Sequence, residues 1–305
     1  MFDVIAIGEL NCDYIFTGLK TMPQPGKEII SETFSLVLGS STAISASQLA
    51  KLGIKTAFCS LVGNDANGKM AVEFLKANGI DPCYVVADNG VATGITVSFS
   101  DAKDRALVTY KGAMDVFCGK HFSPDILKNT RHVHIGSFFL QTALRYDLPR
   151  FFQMAKEAGC TTSLDAGWDD TDNWDYGIRD VLQYTDIFFP NEAEAAHVTG
   201  EADPVAAVKK LGARISVVKC GKDGAVAYAD GKMYQKRAYI TEPVDTTGAG
   251  DCFNGGFLYG FLNDKDIGTC LEYGNACGSV CVTKIGGASS CAAIGDIEKR
   301  RMDYS

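Results

Sequence analysis

Short apolar runs alternate with segments of helical period along most of this chain. Val4 to Leu10, Thr56 to Val62, His132 to Ile135, Thr161 to Leu164, Asp186 to Phe189 and Ile215 to Val218 read as strands, each closed by a polar or glycine-containing turn. Ala43 to Leu52 and Lys69 to Ala77 carry helical spacing and stop at Gly53 and Asn78-Gly79, where glycine accepts the left-handed conformation that ends a helix. Ala225 to Tyr228 and Met233 to Tyr239 flank Asp230-Gly231 and predict a hairpin. Strands separated by helices imply parallel pairing through right-handed crossovers. The expected fold is therefore α/β, a mostly parallel central sheet flanked by helices.

Two stretches break this rhythm. Residues from about 14–38 and from about 91–110 alternate with strand period and hold no helix between their runs; Thr93 to Phe99 is one such strand. They predict a small β-sheet able to cover a site. No internal repeat or low-complexity linker divides the chain, so residues 1–305 are expected to form one domain with this small sheet inserted. In open parallel sheets ligands bind beyond the C-terminal ends of the strands, which gives most weight to motifs in the loops there.

The strongest motif is Val244-Asp245-Thr246-Thr247-Gly248-Ala249-Gly250-Asp251, ahead of a run of helical spacing from Cys252 to Tyr259. Small residues before a helix leave their N–H groups unobstructed and aimed at one point. The helix N-terminus adds partial positive charge at that point, which suits a phosphoryl group in transfer. Asp251, at the edge of the turn, is placed to take the proton of an attacking hydroxyl; the alternative for Asp251 alone is a helix N-cap. Gly63 to Lys69 has the glycine and lysine spacing of a P-loop, but Met70 stands where that loop needs Ser or Thr for Mg2+.

Composition narrows the partners. The 305 residues are 46% hydrophobic and 22% charged, with a net charge of −8, an ordinary globular balance. No face of clustered Lys and Arg is present; the densest group, Lys299 to Arg301, lies near the C-terminus. Nucleic acid is thus not an expected partner, and an anionic ligand must find its positive potential in Mg2+, helix ends or backbone N–H groups. The 11 Cys form no C-x-x-C pair and the 4 His have no metal-ligand spacing to them, which reads as buried thiols in a reducing cytosol. No apolar run reaches membrane-spanning length, and Met1-Phe2-Asp3 enters a strand pattern directly. A cytoplasmic location with no membrane partner is expected.

Taken in order, these motifs resemble the ribokinase-like (PfkB) family of carbohydrate kinases over nearly the whole chain. Besides the Asp245 to Asp251 run, Gly8 to Asp13 matches the family's G-x-x-x-x-D start, and Gly39 to Ile44 its first glycine motif and following helix. Val62 to Gly68 matches V-G-x-D-x-x-G, Asn191 to Glu194 matches N-x-x-E, and Asn275-Ala276 and Lys284-Ile285-Gly286 resemble its late turns. The resemblance implies a Rossmann-like core with a β-sheet lid, ATP and Mg2+, and transfer of the γ-phosphate to a hydroxyl of a small sugar or sugar acid. By the same resemblance Asp251 is the general base, and Gly248, Ala249 and Gly250 form the anion hole. Asn11, Asp13, Gly39, Ser40, Ile44, Gln141 and Asp251 would surround the acceptor. Asn191, Lys219, Gly221, Gly224, Gly248, Gly250 and Asn275 would meet ATP. Asn191 and Glu194 would organise Mg2+ through water, since Mg2+ keeps much of its hydration; taken alone they read as a helix cap and a first-turn Glu. K+ would lie beside the anion hole at Asp245, Thr247, Cys281, Lys284, Gly286 and Ser290, and two copies would pair through the lid. One departure matters: where the family has two glycines and then an Asn that meets sugar hydroxyls, this chain has Gly39-Ser40 and Ile44. That substitution keeps open a nucleoside kinase of the same fold. A non-catalytic sugar-binding relative is the rival from another class.

Overall fold

The computed structural model describes residues 1–101 and 104–302; residues 102–103, inside the second helix-free stretch, and residues 303–305 lie outside the described residues. Its strands are β1 (Phe2–Ile7), β2 (Asn11–Leu19), β3 (Thr33–Leu38), β4 (Thr56–Gly63), β5 (Asp81–Asp88), β6 (Gly94–Asp101), β7 (Arg105–Tyr110), β8 (Thr130–Ile135), β9 (Thr161–Asp165), β10 (Ile187–Phe189), β11 (Ile215–Lys219), β12 (Ala225–Ala229) and β13 (Lys232–Lys236). The helices are α1 (Ser41–Lys51), α2 (Ala66–Ala77), α3 (Ala113–Val116), α4 (Leu148–Glu157), α5 (Ile178–Leu182), α6 (Glu192–Thr199), α7 (Pro204–Ala207), α8 (Ala249–Leu262), α9 (Ile267–Cys281) and α10 (Ile294–Met302).

Nine strands form the central sheet in the order β13-β12-β11-β10-β9-β8-β1-β4-β5. From β11 to β5 every pairing is parallel, while β12 and β13 add an antiparallel hairpin at one edge. Helices cover both faces, which is why β4 is buried at all eight positions rather than at alternate ones. The fold is a Rossmann-like α/β sheet with a second, smaller sheet, as the hydrophobic pattern implies.

That smaller sheet has the order β3-β2-β6-β7 and comes from the two helix-free stretches. Its middle pair, β2 and β6, is parallel, with Asp13 opposite Thr96. β3 and β7 pair antiparallel on the outside.

Two boundaries differ from the sequence pattern. The first strand stops at Ile7, because Gly8 to Leu10 carry the chain across from the large sheet to the small one. The hairpin's second strand stops at Lys236, short of Tyr239. There the Asn275 amide donates to the carbonyls of Lys236 and Arg237 at 3.1 Å each, drawing the chain off the sheet edge toward α9.

Candidate active site

The parallel strands all point their C-terminal ends toward one edge. The direction of connection reverses beside β1: β4 and β5 lie on one side, β8 to β11 on the other. A crevice opens at such a reversal, and the loops after β1, β8, β9, β10 and β11 supply its walls. Three cavities meet there. The first, about 540 Å³, lies between the lid and α1 and is lined by Glu9, Asn11, Asp13, Ser40, Ile44, Thr96 and Asp251 among others. The second, about 440 Å³, lies between the 238–243 segment and α9, with Lys219, Gly221, Gly224, Gly250 and Asn275 in its walls. The third, about 870 Å³, joins them and is lined by Asp165, Asn191, Glu194, Lys219, Gly250 and Asp251.

The turn ahead of α8 is the partition. Thr246 lines the first and second cavities, Gly250 the second and third, and Asp251 the first and third. Gly248 is the N-cap residue of α8, in the left-handed region at φ 76°. A side chain is excluded as well as strained there, because a Cβ would lie 2.7 Å from the Gly287 Cα. Asp245 pins the turn: its carboxylate accepts from the N–H of Thr247 at 2.9 Å and from that of Gly286 at 3.0 Å. At the start of α8 the Ala249 N–H donates to the Thr246 carbonyl at 3.3 Å, while Gly250, next in the first turn, stands where the second and third cavities join. Because Gly248 is the cap, Asp251 is not one. Among the described residues no side chain hydrogen-bonds its carboxyl.

Charge around Asp251 is unbalanced toward the negative. Lys219 Nζ lies 2.6 Å from Asp165 Oδ2, and Asn254 Nδ2 donates to the same oxygen at 2.7 Å. Burial pushes the Asp165 carboxyl up, but the Lys219 charge and these hydrogen bonds outweigh it and hold the carboxyl below its usual range. Burial and then the Asp165 charge push Glu194 up to about 7. Burial, and next the Asp165 charge, push Asp251 well above the carboxylate range against the opposing pull of Lys219. Three carboxyls therefore share one lysine, an arrangement that favours an added cation. Among the described residues no three His, Cys, Asp or Glu side chains form a metal cage, so a divalent ion here would keep water and borrow ligands from a bound partner.

The chain matches the model of the pfkB family of carbohydrate kinases over residues 1–293. The chain belongs to the pfkB family. It is 30% identical to an ATP-dependent ribose-1-phosphate kinase from Halopiger xanaduensis over 295 residues, 96% of each chain. Its fold matches the structure of Arabidopsis thaliana ribokinase complexed with ribose and ATP with a TM-score of 0.86 at 26% identity, covering 100% of this chain and 99% of the other. A protein described as a ribokinase II from E. coli, in complex with ATP and Mg2+, matches with a TM-score of 0.86 and 26% identity over the full length of both chains. This pfkB kinase is an ATP-dependent phosphotransferase with an alcohol group as acceptor.

In this pfkB kinase most residues taken from the motifs reach the cavity walls. Asn11 and Asp13 project from β2 into the first cavity, two positions apart on one face. Gly39 packs beneath them, where any Cβ would collide with the Asp13 carboxylate. Ile44 lines the same cavity and also packs on the backbone of Gly248 and Gly287, so it supports the turn ahead of α8 as well as facing the first cavity. Asn191 and Glu194 line the third cavity, and they also form a reciprocal capping box on α6 with bonds of 2.8 and 2.9 Å. The alternative read from the sequence for that pair is thus present alongside the site position.

One placement departs from the sequence reading, and the residues named for K+ have internal bonds of their own. Gln141 is fully buried and does not reach the cavity wall; its amide donates to Glu9 Oε2 at 2.5 Å, because the turn after β8 tucks it behind that carboxylate. The residues named for K+ converge around Asp245, yet Cys281 Sγ donates to the Thr247 carbonyl at 3.5 Å and Ser290 Oγ to the Ile285 carbonyl at 3.3 Å, so two of them already make internal bonds. Sequence reasoning missed Glu9, Asp165 and Asn254. Glu9 carried a signal, as the polar residue inside the Gly8 to Asp13 motif. Asp165 and Asn254 carried none beyond lying at a strand end and inside a helix.

Proposed function

We propose that this kinase transfers the γ-phosphate of ATP to a hydroxyl of a small sugar or sugar acid, with Asp251 as general base. The observation that carries the proposal is the uncommitted Asp251 carboxyl in the wall between the first and third cavities. The acceptor binds under the lid, between Asn11, Asp13, Ser40 and Ile44. The nucleotide binds in the second cavity, against Gly221, Gly224 and Asn275. ATP supplies the transferable phosphoryl group, and Mg2+ neutralises charge on its oxygens. Asp251 takes the acceptor's hydroxyl proton as the new O–P bond forms and the β–γ bridge bond breaks. Its raised pKa moves its basicity toward the working pH, which favours that transfer. The N–H groups of Gly248, Ala249 and Gly250 stabilise the equatorial oxygens, with partial positive charge from the end of α8. Asn191 and Glu194 would hold Mg2+ through water, and Lys219, paired with Asp165 and beside Gly250, would meet a phosphate oxygen.

Further parts of the proposal are K+ at the Asp245 turn, where the Thr247 carbonyl would be among the oxygens that hold it, and a homodimer joined through the lid, whose Phe34, Val108 and Tyr110 are exposed. A reducing, cytoplasmic setting fits eleven free thiols, and no described helix is long and apolar enough to cross a membrane. A second reading, a nucleoside acceptor, is favoured by the apolar walls Ile15, Ile44, Leu107 and Met114 of the first cavity. The deciding experiment measures ADP release with ATP and Mg2+ on ribose, fructose, 2-keto-3-deoxygluconate, inositol and nucleosides. Acceptor-dependent ADP release supports the kinase reading, and its rank order chooses between sugar and nucleoside. Binding without ADP release identifies a non-catalytic sugar binder and sinks the proposal.

A further inference from the structure

Glu9 stands two residues past β1, only 2% exposed, yet in the wall of the first cavity. Three groups fix its carboxylate. Thr42 Oγ1 donates to Oε2 at 2.7 Å, Gln141 Nε2 to the same oxygen at 2.5 Å, and the Thr42 N–H to Oε1 at 3.2 Å. Ser40 Oγ lies 3.2 Å from Oε1 but 2.6 Å from the Glu9 carbonyl oxygen, and its single proton serves the shorter bond. Two glycines admit this packing, since a Cβ on either Gly8 or Gly136 would collide with Thr42 Oγ1.

The arrangement has a surplus of one kind. Both amide hydrogens of Gln141 have acceptors, Glu9 Oε2 and the Gly136 carbonyl. The Thr42 hydroxyl proton is also used. No donor is left over. On the acceptor side, Gln141 Oε1 is fully buried without a partner, and Glu9 Oε1 holds one long bond where a carboxylate oxygen has room for about two. Buried acceptor capacity left unmet is unfavourable, and here the unmet oxygen of Glu9 belongs to a side chain that lines the acceptor cavity. Across that cavity, Asn11 Nδ2 already donates to Asp13 Oδ1 at 2.8 Å, so the lid edge presents a separate carboxylate.

We propose that Glu9 Oε1 accepts a hydrogen bond from a hydroxyl of the acceptor, and that Glu9 is a specificity-determining residue held in place by Gln141 and Thr42. The acceptor is then a polyol with hydroxyls on two edges, one read by Glu9 and one by Asn11 and Asp13, in addition to the hydroxyl at Asp251. This rests on the sugar-kinase reading.

The test compares wild type with Glu9→Gln on ribose, fructose and inositol, and on the monodeoxy derivatives of whichever is phosphorylated best. In wild type, removing one particular hydroxyl, not the reacting one, is expected to lower kcat/KM by about 10²-fold or more, since a site built to bond a hydroxyl rejects the analogue that lacks it. In Glu9→Gln the parent acceptor's kcat/KM falls about tenfold, mainly through KM, because the amide that replaces the carboxyl has one acceptor oxygen in place of two. The penalty for that same deoxy compound shrinks by a similar factor, while the other deoxy penalties and the KM for ATP stay fixed. A merely structural Glu9 weakens every acceptor alike. Wild type that tolerates every deoxy derivative, or a variant that keeps every deoxy penalty, overturns the inference and leaves the kinase reading intact. Wild type that phosphorylates nucleosides but no polyol at all sinks the sugar-kinase reading beneath it.

Discussion

Four of the carboxyls around the joined cavities have distinct commitments. Asp165 is paired with Lys219, Glu194 accepts from the Asn191 N–H in the capping box of α6, and Glu9 is clamped by Thr42 and Gln141; of these four, Asp251 alone has a carboxyl that accepts no hydrogen bond from the described residues. Asp251→Asn keeps the shape and removes the basicity. It is expected to lower kcat by about 10²-fold or more, with the ATP KM and Tm nearly unchanged, read by steady-state ADP release and thermal unfolding. Because Gly248 caps α8, loss of a cap does not imitate this result. A folded variant that keeps more than about a tenth of wild-type kcat rules Asp251 out as the base. The pH profile follows the same chemistry. Burial and the Asp165 charge raise the Asp251 pKa, so the acid limb of kcat/KM lies above the ordinary carboxylate range, and activity is lost as pH falls through it.

At the scale of elements, Asn191 and Glu194 both cap α6 and line the third cavity. Gln completes a capping box as well as Glu does, so Glu194→Gln separates the two uses. Glu194 titrates at about 7 when folded, against 4.5 for an unperturbed Glu. A raised acid binds its proton more tightly in the fold. Its contribution to stability is therefore full below about 4.5 and is lost as pH rises from there through about 7, by about 1.4 kcal/mol for each pH unit crossed. Glu194→Gln is expected to raise the Tm of the ligand-free protein at pH 8 and to change it much less at pH 5, while raising the Mg2+ concentration needed for half-maximal rate severalfold. An equal Tm change at both pH values contradicts the titration, and an unchanged Mg2+ requirement leaves Glu194 a cap and nothing more.

At the scale of the molecule, polar contacts between the lid and the core include Tyr14 Oη to Asn67 Oδ1 at 2.5 Å and, just past β7, Lys111 Nζ to Asp170 Oδ2 at 3.4 Å. The first cavity is roofed by alternate residues of β2, β6 and β7, including Thr17, Ser98 and Thr109. Bound acceptor is expected to draw this roof down and exclude water. Amide exchange in Asn11–Leu19 and Gly94–Asp101 should slow by about tenfold or more when acceptor is added, with β4 unaffected because it is already buried throughout. Equal exchange with and without saturating acceptor removes the lid's role in closure.

Hydrophobic spacing by itself determined the parallel α/β core, because a strand buried on both faces must be apolar throughout and its neighbours must be joined by helices. The two helix-free stretches likewise announced the lid, since alternation at period 2 leaves one polar face for a ligand and one for packing. The run from Asp245 to Asp251 marked the glycine-capped turn ahead of α8, because only small residues fit so close to the start of that helix. What the tertiary structure alone decided is which side chains answer one another across long stretches of chain. Asp165 meets Lys219 and Asn254 only because β9, β11 and α8 end at the same edge of the sheet. Gln141 lies 132 residues from Glu9 and reaches it only because β1 and β8 are neighbours in the sheet. Those contacts set the charge on Asp251 and the open lone pair on Glu9, and neither burial nor charge at a point in space is a property of local sequence.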